Sequence, residues 1–391
     1  MRRAVLPILL CAFVLGPATA QEVELDTEGI EVPAFYEYDP PSTLVVPEHP
    51  VTRAKYPFVD VHNHQFGMAD QDLSELVAAM DAMHMAVMVN LSGRGFRRIE
   101  NPDGTTTFEL QEPEVLARAV ENARENAPGR FVVFTNVSFT GIGEEGWSGT
   151  AVRRLEEDVA NGAGGLKIYK SLGMSVTDAD GQRVPVNDPR LDPIWARAGE
   201  LGIPVLIHTA DPAPFWQVKD KSNERLFELM ERPGRYQGPD AEPTFEELLA
   251  EQHDVFRKHP DTIFINAHLG WLGNDLGRLG ALLDELPNVY TEIGAVLAEL
   301  GRQPRFAREF FLEHADRILF GKDSWNPEEY PAYFRVLETD DDYFDYYRKR
   351  HAFWKIYGLD LPDDVLRKVY YENALRILPG LDRSLFPTEA P

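Results

Sequence analysis

The sequence predicts an α/β fold, a (β/α)8 TIM barrel with an extended N-terminal arm and extra C-terminal helices. Three observations carry that expectation. Short β-branched runs recur eight times, helix-like stretches separate them, and the chemistry-bearing polar residues fall at or near the C-terminal ends of the runs. Alternating strand and helix units argue for a parallel sheet. Eight such units over roughly 270 residues match the usual size of a closed barrel. A doubly wound open sheet is the competing arrangement. It would spread the polar strand ends along an edge, whereas a barrel gathers them around one mouth.

Residues 1–20 (MRRAVLPILLCAFVLGPATA) carry two arginines, an apolar run and Ala18-Thr19-Ala20. That is the charged, apolar and small-residue pattern of a cleaved secretory signal, with cleavage expected near Ala20. The run is short for a membrane anchor. A periplasmic or secreted protein is therefore expected. Cys11, the one cysteine of the chain, lies in this segment, and Leu10 before it is too large for a lipid-attachment site. The mature chain is then cysteine-free, which excludes disulfides, thiolate catalysis and cysteine-bound zinc.

Residues 21–55 are rich in proline and acids (VPAFYEYDPPSTLVVPEHP) and read as an extended arm, with a disordered leader as the alternative. Residues 56–391 hold the barrel and its C-terminal helices. The eight strand runs are FVDVHNH, MAVMVNLS, RFVVFTNVSF, GLKIYKS, PVLIHTA, TIFINAHLG, NVYTEIG and RILFGKDS. Between them lie helix-like stretches such as EPEVLARAVENARENA, AVRRLEEDVANG and TFEELLAEQHDVFRKH. In DLSELVAAMDAMH, Leu73, Leu76, Val77, Met80 and Met83 form one apolar helical stripe. SNERLFELMERPGRYQGPD reads as an insertion over the barrel mouth. The aromatic, charged tail YFDYYRKRHAFWKIYG reads as closing helices on the outside of the barrel.

A hydrophobic content of 43% supports a sizeable core, and the formal charge of −25 makes the surface strongly acidic. Such a surface repels nucleic acid and anionic membranes, leaving a small-molecule substrate as the expected partner. A homo-oligomer is compatible with the sequence. The charge says nothing of the field inside a recessed site.

The chain has ten histidines, and His62 and His64 share one side of the first strand because side chains alternate. His208 ends the fifth run and Asp323 the eighth. Imidazole nitrogens with a carboxylate suit Zn²⁺ or a similar divalent ion, with one position left for water. The ion would acidify that water or polarise a substrate oxygen. Taken singly, each residue has a plainer reading: a histidine as a hydrogen-bonded core residue, Asp323 as a helix cap before NPEEY.

DVHNH, LIHTAD, FINAHLGW and ILFGKDSW, in that order, resemble the amidohydrolase superfamily, specifically the amidohydrolase-related branch that also contains metal-dependent decarboxylases. The resemblance covers residues 56–380. It implies His62, His64, His208 and Asp323 as metal ligands. It also implies that His268 is a second-metal ligand or a catalytic base. In binuclear members a lysine ending the fourth strand is carboxylated and bridges two ions; GLKIYKSLG offers Lys167 and Lys170, on opposite faces, and Lys167 aligns better. One ion is expected, two if Lys167 is carboxylated. Lys167 binding an anionic substrate group, or simply lying at the rim, stays open. Further candidates for the pocket wall are Gln65, Asp211, Phe215, Trp216, Trp271 and Glu292, the last equally readable as a partner of a ligand. Arg225 is a candidate anion contact, and Asp60 a brace beneath the histidine pair.

The expected activity is hydrolysis of an amide, ester or lactone by metal-activated water. By the resemblance, Asp323 shuttles the proton, and His268 or Lys167 stabilises the oxyanion. The alternatives are non-oxidative decarboxylation of an aromatic or conjugated acid, and a non-catalytic periplasmic binding protein.

Overall fold

The computed structural model describes residues 33–100 and 106–387, together with Glu28 and Glu31. Residues 1–20, on which the expectation of a signal peptide falls, lie outside them. The strands are β1 (Phe58–Asn63), β2 (Met85–Asn90), β3 (Phe96–Glu100), β4 (Thr106–Leu110), β5 (Phe131–Asn136), β6 (Gly165–Ile168), β7 (Val205–Ile207), β8 (Phe264–Asn266), β9 (Val289–Glu292) and β10 (Ile318–Leu319). Eight form one parallel sheet in the order β1-β2-β5-β6-β7-β8-β9-β10. Those eight are the eight runs read from the sequence. The sheet curls into a nearly closed barrel: the Val61 amide donates to the Phe320 carbonyl at 3.0 Å, and the Asp323 amide to the His62 carbonyl at 2.7 Å. A (β/α)8 barrel results.

All six positions of β1 and of β2 are buried, as expected for strands covered on both faces. The helix Ser74–Met83 follows β1 and buries Leu76, Met80 and Met83, the inner part of the apolar stripe. Thr244 starts the helix Phe245–Lys258 with a reciprocal capping box to Glu247, which satisfies two otherwise orphaned amides.

β3 and β4 form an antiparallel hairpin in the connection after β2, an element the sequence reading did not separate. The tail segment differs from expectation as well. Residues 343–358 are not helical; Phe344 and Ile356 pair in an isolated antiparallel bridge. Phe344 and Tyr346 are buried while Asp345 between them is exposed, a period of two rather than 3.6. The segment lies at the mouth, since Trp354 Nε1 donates to the Ala298 carbonyl at 3.0 Å and Arg348 to Ser324 Oγ at 3.1 Å. Helical turns do follow at Asp363–Arg367, Lys368–Glu372 and Asn373–Ile377, and Asn373 donates to the Ala315 and Ile318 carbonyls beside β10.

The described residues up to Leu44 form a unit of their own, with a turn in which the Glu37 amide donates to the Ala34 carbonyl at 2.8 Å. Residues from Val45 onward belong to the barrel unit. There the His49 amide donates to Asp341 at 2.8 Å, and the Ala54 amide to the Met83 carbonyl at 3.2 Å.

Candidate metal centre

Strand direction assembles this site. His62 lies in β1 with His64 just beyond it, Lys167 in β6, His208 after β7, His268 after β8, Glu292 at the end of β9 and Asp323 after β10. All therefore meet at the C-terminal mouth of the barrel. The backbone there is strained. His268 (φ 58°), Leu269, Trp271, Ala210, Ala295 and Asp323 (φ 84°) all take left-handed conformations without being glycine. Such strain costs on the order of 1–3 kcal/mol per residue and concentrates where side chains must be aimed.

The carboxylates and imidazoles lie close together. Asp323 Oδ1 is 3.5 Å from His62 Nε2 and 3.7 Å from His64 Nε2. The His268 ring centroid is 4.8 Å from that of His62 and 4.4 Å from that of His208. Hydrogen bonds fix the tautomers. His62 Nδ1 donates to Glu292 Oε1 at 2.9 Å, His268 Nδ1 to the Gly294 carbonyl at 2.8 Å, and His64 Nδ1 contacts Ser92 Oγ at 2.7 Å. With Nδ1 carrying the proton, Nε2 keeps its lone pair. His208 Nε2 is buried without a hydrogen-bond partner. Lone pairs on Nε2 facing one another beside a carboxylate suit a divalent cation and little else. The residues present fit a metal. His62, His64 and Asp323 form a compact ligand group. His62, His268 and Glu292 also cluster, but the imidazole atoms nearest Glu292 are the protonated Nδ1 atoms. His208 falls in neither group and joins through its contact with His268.

Electrostatics agree with the lone pairs. Burial pushes the His62 imidazole down to about 3 and His268 to about 4, and drives His64 and His208 well below the ordinary value. All four are neutral at pH 7, as metal ligation requires. Burial disfavours the Asp323 carboxylate, but His62, His268 and His64 in their protonated forms, with the Lys167 ammonium, outweigh it and hold the group below the usual range. Burial also brings Lys167 down to about 7, against the pull of Asp323 and Glu292. Its Nζ lies 3.4 Å from His62 Nε2.

Beneath the ligands sit two carboxylates. Asp60 accepts from the His62 and Lys322 amides at 3.1 Å each, from Asn63 Nδ2 at 2.9 Å and from the Tyr330 hydroxyl at 2.6 Å. It thus ties β1 to the chain after β10. Burial raises it to about 6, the four donors opposing the rise. Glu292 accepts from His62 Nδ1, the His268 amide (2.6 Å) and the Gly294 amide (2.5 Å). Only glycine fits beside it: a Cβ on Gly321 or Gly294 would meet Glu292 Oε2 at 2.4 or 2.7 Å.

Several pocket candidates are placed otherwise than expected. Glu292 is fully buried under the histidines, with both oxygens engaged, so it orients ligands and does not face a substrate. Gln65 turns inward: its amide donates to Asn90 Oδ1 and its Nε2 to Asn63 Oδ1. Arg225 is not available for an anion, because Glu228, Glu299 and the His351 carbonyl take its guanidinium. Asp211 is buried against Lys170 at 2.5 Å, which also removes Lys170 from the mouth. Trp216 is spent on the Pro243 carbonyl at 3.0 Å, and Phe215 is fully buried. Trp271 does wall the site, its ring 4.7 Å from His268 and 5.8 Å from His208. Asp323 is not the cap of the following turn; Asn326 is.

Two participants escaped the sequence reading. Ser92 contacts His64, and Tyr169 contacts Ser92 at 2.8 Å. Tyr169 stands two residues after Lys167, so strand alternation was the available signal. Beside the centre opens a cleft of about 490 Å3 lined by Phe96, Leu110, Val137, Phe139, Lys167 and Tyr169 among others. The Phe66 ring stacks on His64 with centroids 5.6 Å apart at 8°, and Phe96 meets Tyr169 edge-on at 5.1 Å.

A (β/α)8 barrel whose strand ends aim neutral imidazoles and an ionised carboxylate at one point defines a metal-dependent barrel enzyme. The amidohydrolase family model matches residues 59–380, and the chain belongs to that family. No curated protein matches the sequence. Among solved structures, 2,6-dihydroxybenzoate decarboxylase from Rhizobium is similar at 15% identity and TM-score 0.47, over 82% of this chain and 98% of that one. A dihydroxybenzoic acid decarboxylase from Polaromonas sp. JS666 with bound manganese and 2-nitroresorcinol is 14% identical (TM-score 0.48; 82% and 96% covered). An amidohydrolase from Burkholderia multivorans is 13% identical (TM-score 0.46; 82% and 99% covered). Likeness at this level brings neither a substrate nor a metal to this chain.

Proposed function

We propose that the protein is a metal-dependent hydrolase acting on an amide, ester or lactone bond of a small molecule. The observation that carries the reading is the pairing of an ionised Asp323 with neutral imidazoles whose Nε2 lone pairs face it. A divalent ion, Zn²⁺ by donor type, would be held by His62, His64, His208 and Asp323 and supply Lewis acidity to water and the scissile carbonyl. Asp323 is ionised and one-third exposed at its side chain, so it receives the proton of the attacking water and passes it to the leaving group. Lys167 is the donor placed to stabilise the developing oxyanion. His268 cannot share that task, since its single proton is given to the Gly294 carbonyl; its Nε2 is a base or a ligand of a second ion. A carboxylated Lys167 would accompany the two-ion form.

Decarboxylation is favoured by one feature, the aromatic slot of Phe66, Phe96 and Tyr169, which suits a planar conjugated acid. It requires a proton for the carbon left behind when CO₂ departs, and a neutral His268 has none to give from Nε2. Hydrolysis needs only the acceptor that Asp323 provides.

Asp323→Asn tests the assignment. The expected outcome is at least a 100-fold loss of kcat on the best lactone, ester or amide of a panel, with the metal still bound by elemental analysis. Retained turnover, or CO₂ release without bond hydrolysis, overturns it. We also propose export: the mature N-terminus is expected at Gln21, readable by mass spectrometry of the periplasmic or secreted fraction.

A further inference from the structure

A second cavity, of about 190 Å3, lies between the end of β5 and the helix Trp147–Ala160. It shares Val137, Ser138 and Thr140 with the cleft beside the metal centre. Arg94, Asn136 and Asp158 line it, and all three are more than nine-tenths buried. Each keeps one buried polar atom without a partner: Arg94 Nε, Asn136 Oδ1 and Asp158 Oδ1. Other polar atoms of the three are engaged. Arg94 Nη2 donates to the Gln111 carbonyl at 2.9 Å, Asn136 Nδ2 to the Leu91 carbonyl at 2.9 Å, and the Thr135 hydroxyl to Asp158 Oδ2. Arg94 and Asp158 do not pair with each other, and Arg154 at the wall is paired with Glu157 at 2.9 Å. The charges inside therefore balance, so the cavity favours a neutral guest.

Buried polar atoms without partners are destabilising, which a native structure tolerates where a guest satisfies them. The unmet groups are one donor and two acceptors. A guest that complements them has one acceptor and two N–H or O–H donors on a small head. A water molecule has these, but one water needs only about 10–15 Å3 of such space. A primary carboxamide or a urea has the same complement on a planar group, with a carbon skeleton to fill the rest against Trp147, Ala151 and Leu155.

We propose that this cavity is a second binding site, for the primary carboxamide or ureide group of a small neutral molecule, separate from the metal centre. Arg94 Nε donates to the guest carbonyl, and the guest NH₂ donates to Asn136 Oδ1 and Asp158 Oδ1. Because Val137, Ser138 and Thr140 wall both chambers, occupancy changes the shape of the catalytic cleft and so its KM.

The test uses the full-length metal-loaded protein and three probes of one size: propionamide, propionate and butylamine. Calorimetric titration is expected to show propionamide binding once per chain, at least tenfold tighter than either charged probe. A crystal soaked in propionamide is expected to show it on Arg94, Asn136 and Asp158. Thr150→Phe, at an exposed position on the cavity rim, is expected to weaken binding at least tenfold without disturbing the buried wall. Asp323→Asn is expected to leave it unchanged. Equal binding of the three probes, ordered waters alone in the soaked cavity, indifference to Thr150→Phe, or loss of binding in Asp323→Asn each overturns the proposal.

Discussion

At the end of β1, His64 Nδ1 lies 2.7 Å from Ser92 Oγ, Ser92 Oγ lies 2.8 Å from the Tyr169 hydroxyl, and that hydroxyl donates to the Leu91 carbonyl at 3.1 Å. A carbonyl only accepts, so the direction of the whole chain follows from its far end. Tyr169 spends its proton on Leu91, Ser92 donates to Tyr169, and the serine oxygen accepts from His64 Nδ1. The imidazole is thereby held with Nε2 bare toward Asp323. Partners of this kind typically control metal affinity by about 10- to 100-fold. Ser92→Ala is accordingly expected to weaken metal binding within that range in competition with a chelator, while the fold persists. Tyr169→Phe, which leaves the serine able to accept, is expected to lose less. Unaltered affinity in Ser92→Ala would show that ring packing alone sets the tautomer.

The hairpin β3–β4 supplies Phe96, Glu109 and Leu110 to the cleft. Phe96 meets both Tyr169 and Phe66 edge-on, and aromatic contacts of this type are worth about 0.5–1.5 kcal/mol each beyond area burial. Phe96→Ala is expected to raise KM about three- to tenfold with kcat little changed, since Phe96 touches no ligand of the metal; a fall in kcat at constant KM would remove the hairpin from substrate binding. Among elements, the eight barrel strands were legible because buried parallel strands must be β-branched runs. The hairpin was not, because its exposed Arg97 and Glu109 break any apolar alternation and its worth lies in one ring over the mouth. In residues 343–358 aromatic density suggests helical packing, whereas Phe344 and Tyr346 alternate inward with a period of two. At the site, residue type and strand position pointed to His62, His64, His208, His268 and Asp323. Neither can tell whether a side chain is already claimed by a neighbour. Arg225, Asp211 and Gln65 all follow strands or face the mouth region in sequence, yet Glu299, Lys170 and Asn63 hold them.

Over the whole molecule, clustering four neutral imidazoles in the barrel links stability to pH in the metal-free protein. His62, His64, His208 and His268 are all held below their ordinary value by burial. Below about pH 6.5 the unfolded chain protonates them while the folded chain does not, so the unfolded state binds more protons. Stability is then full above that pH and falls as pH drops towards 4. Asp60, raised to about 6, works the other way: between about 4 and 6 its folded form holds the extra proton, so its contribution declines as pH rises. Glu292, also raised by burial, acts in the same sense as Asp60. Each group contributes a slope of up to about 1.4 kcal/mol per pH unit, and four imidazoles outweigh the two carboxyls. Denaturant unfolding of the chelated protein is expected to show stability rising steeply from pH 4.5 to 6.5, with a shallower rise in His208→Asn. A flat profile would mean that the imidazoles are solvated and protonated together in the folded state, which is incompatible with a preformed ligand cluster. Saturation with the divalent ion raises stability across that range without adding to the slope, because the folded imidazoles are already deprotonated and bind it without releasing protons.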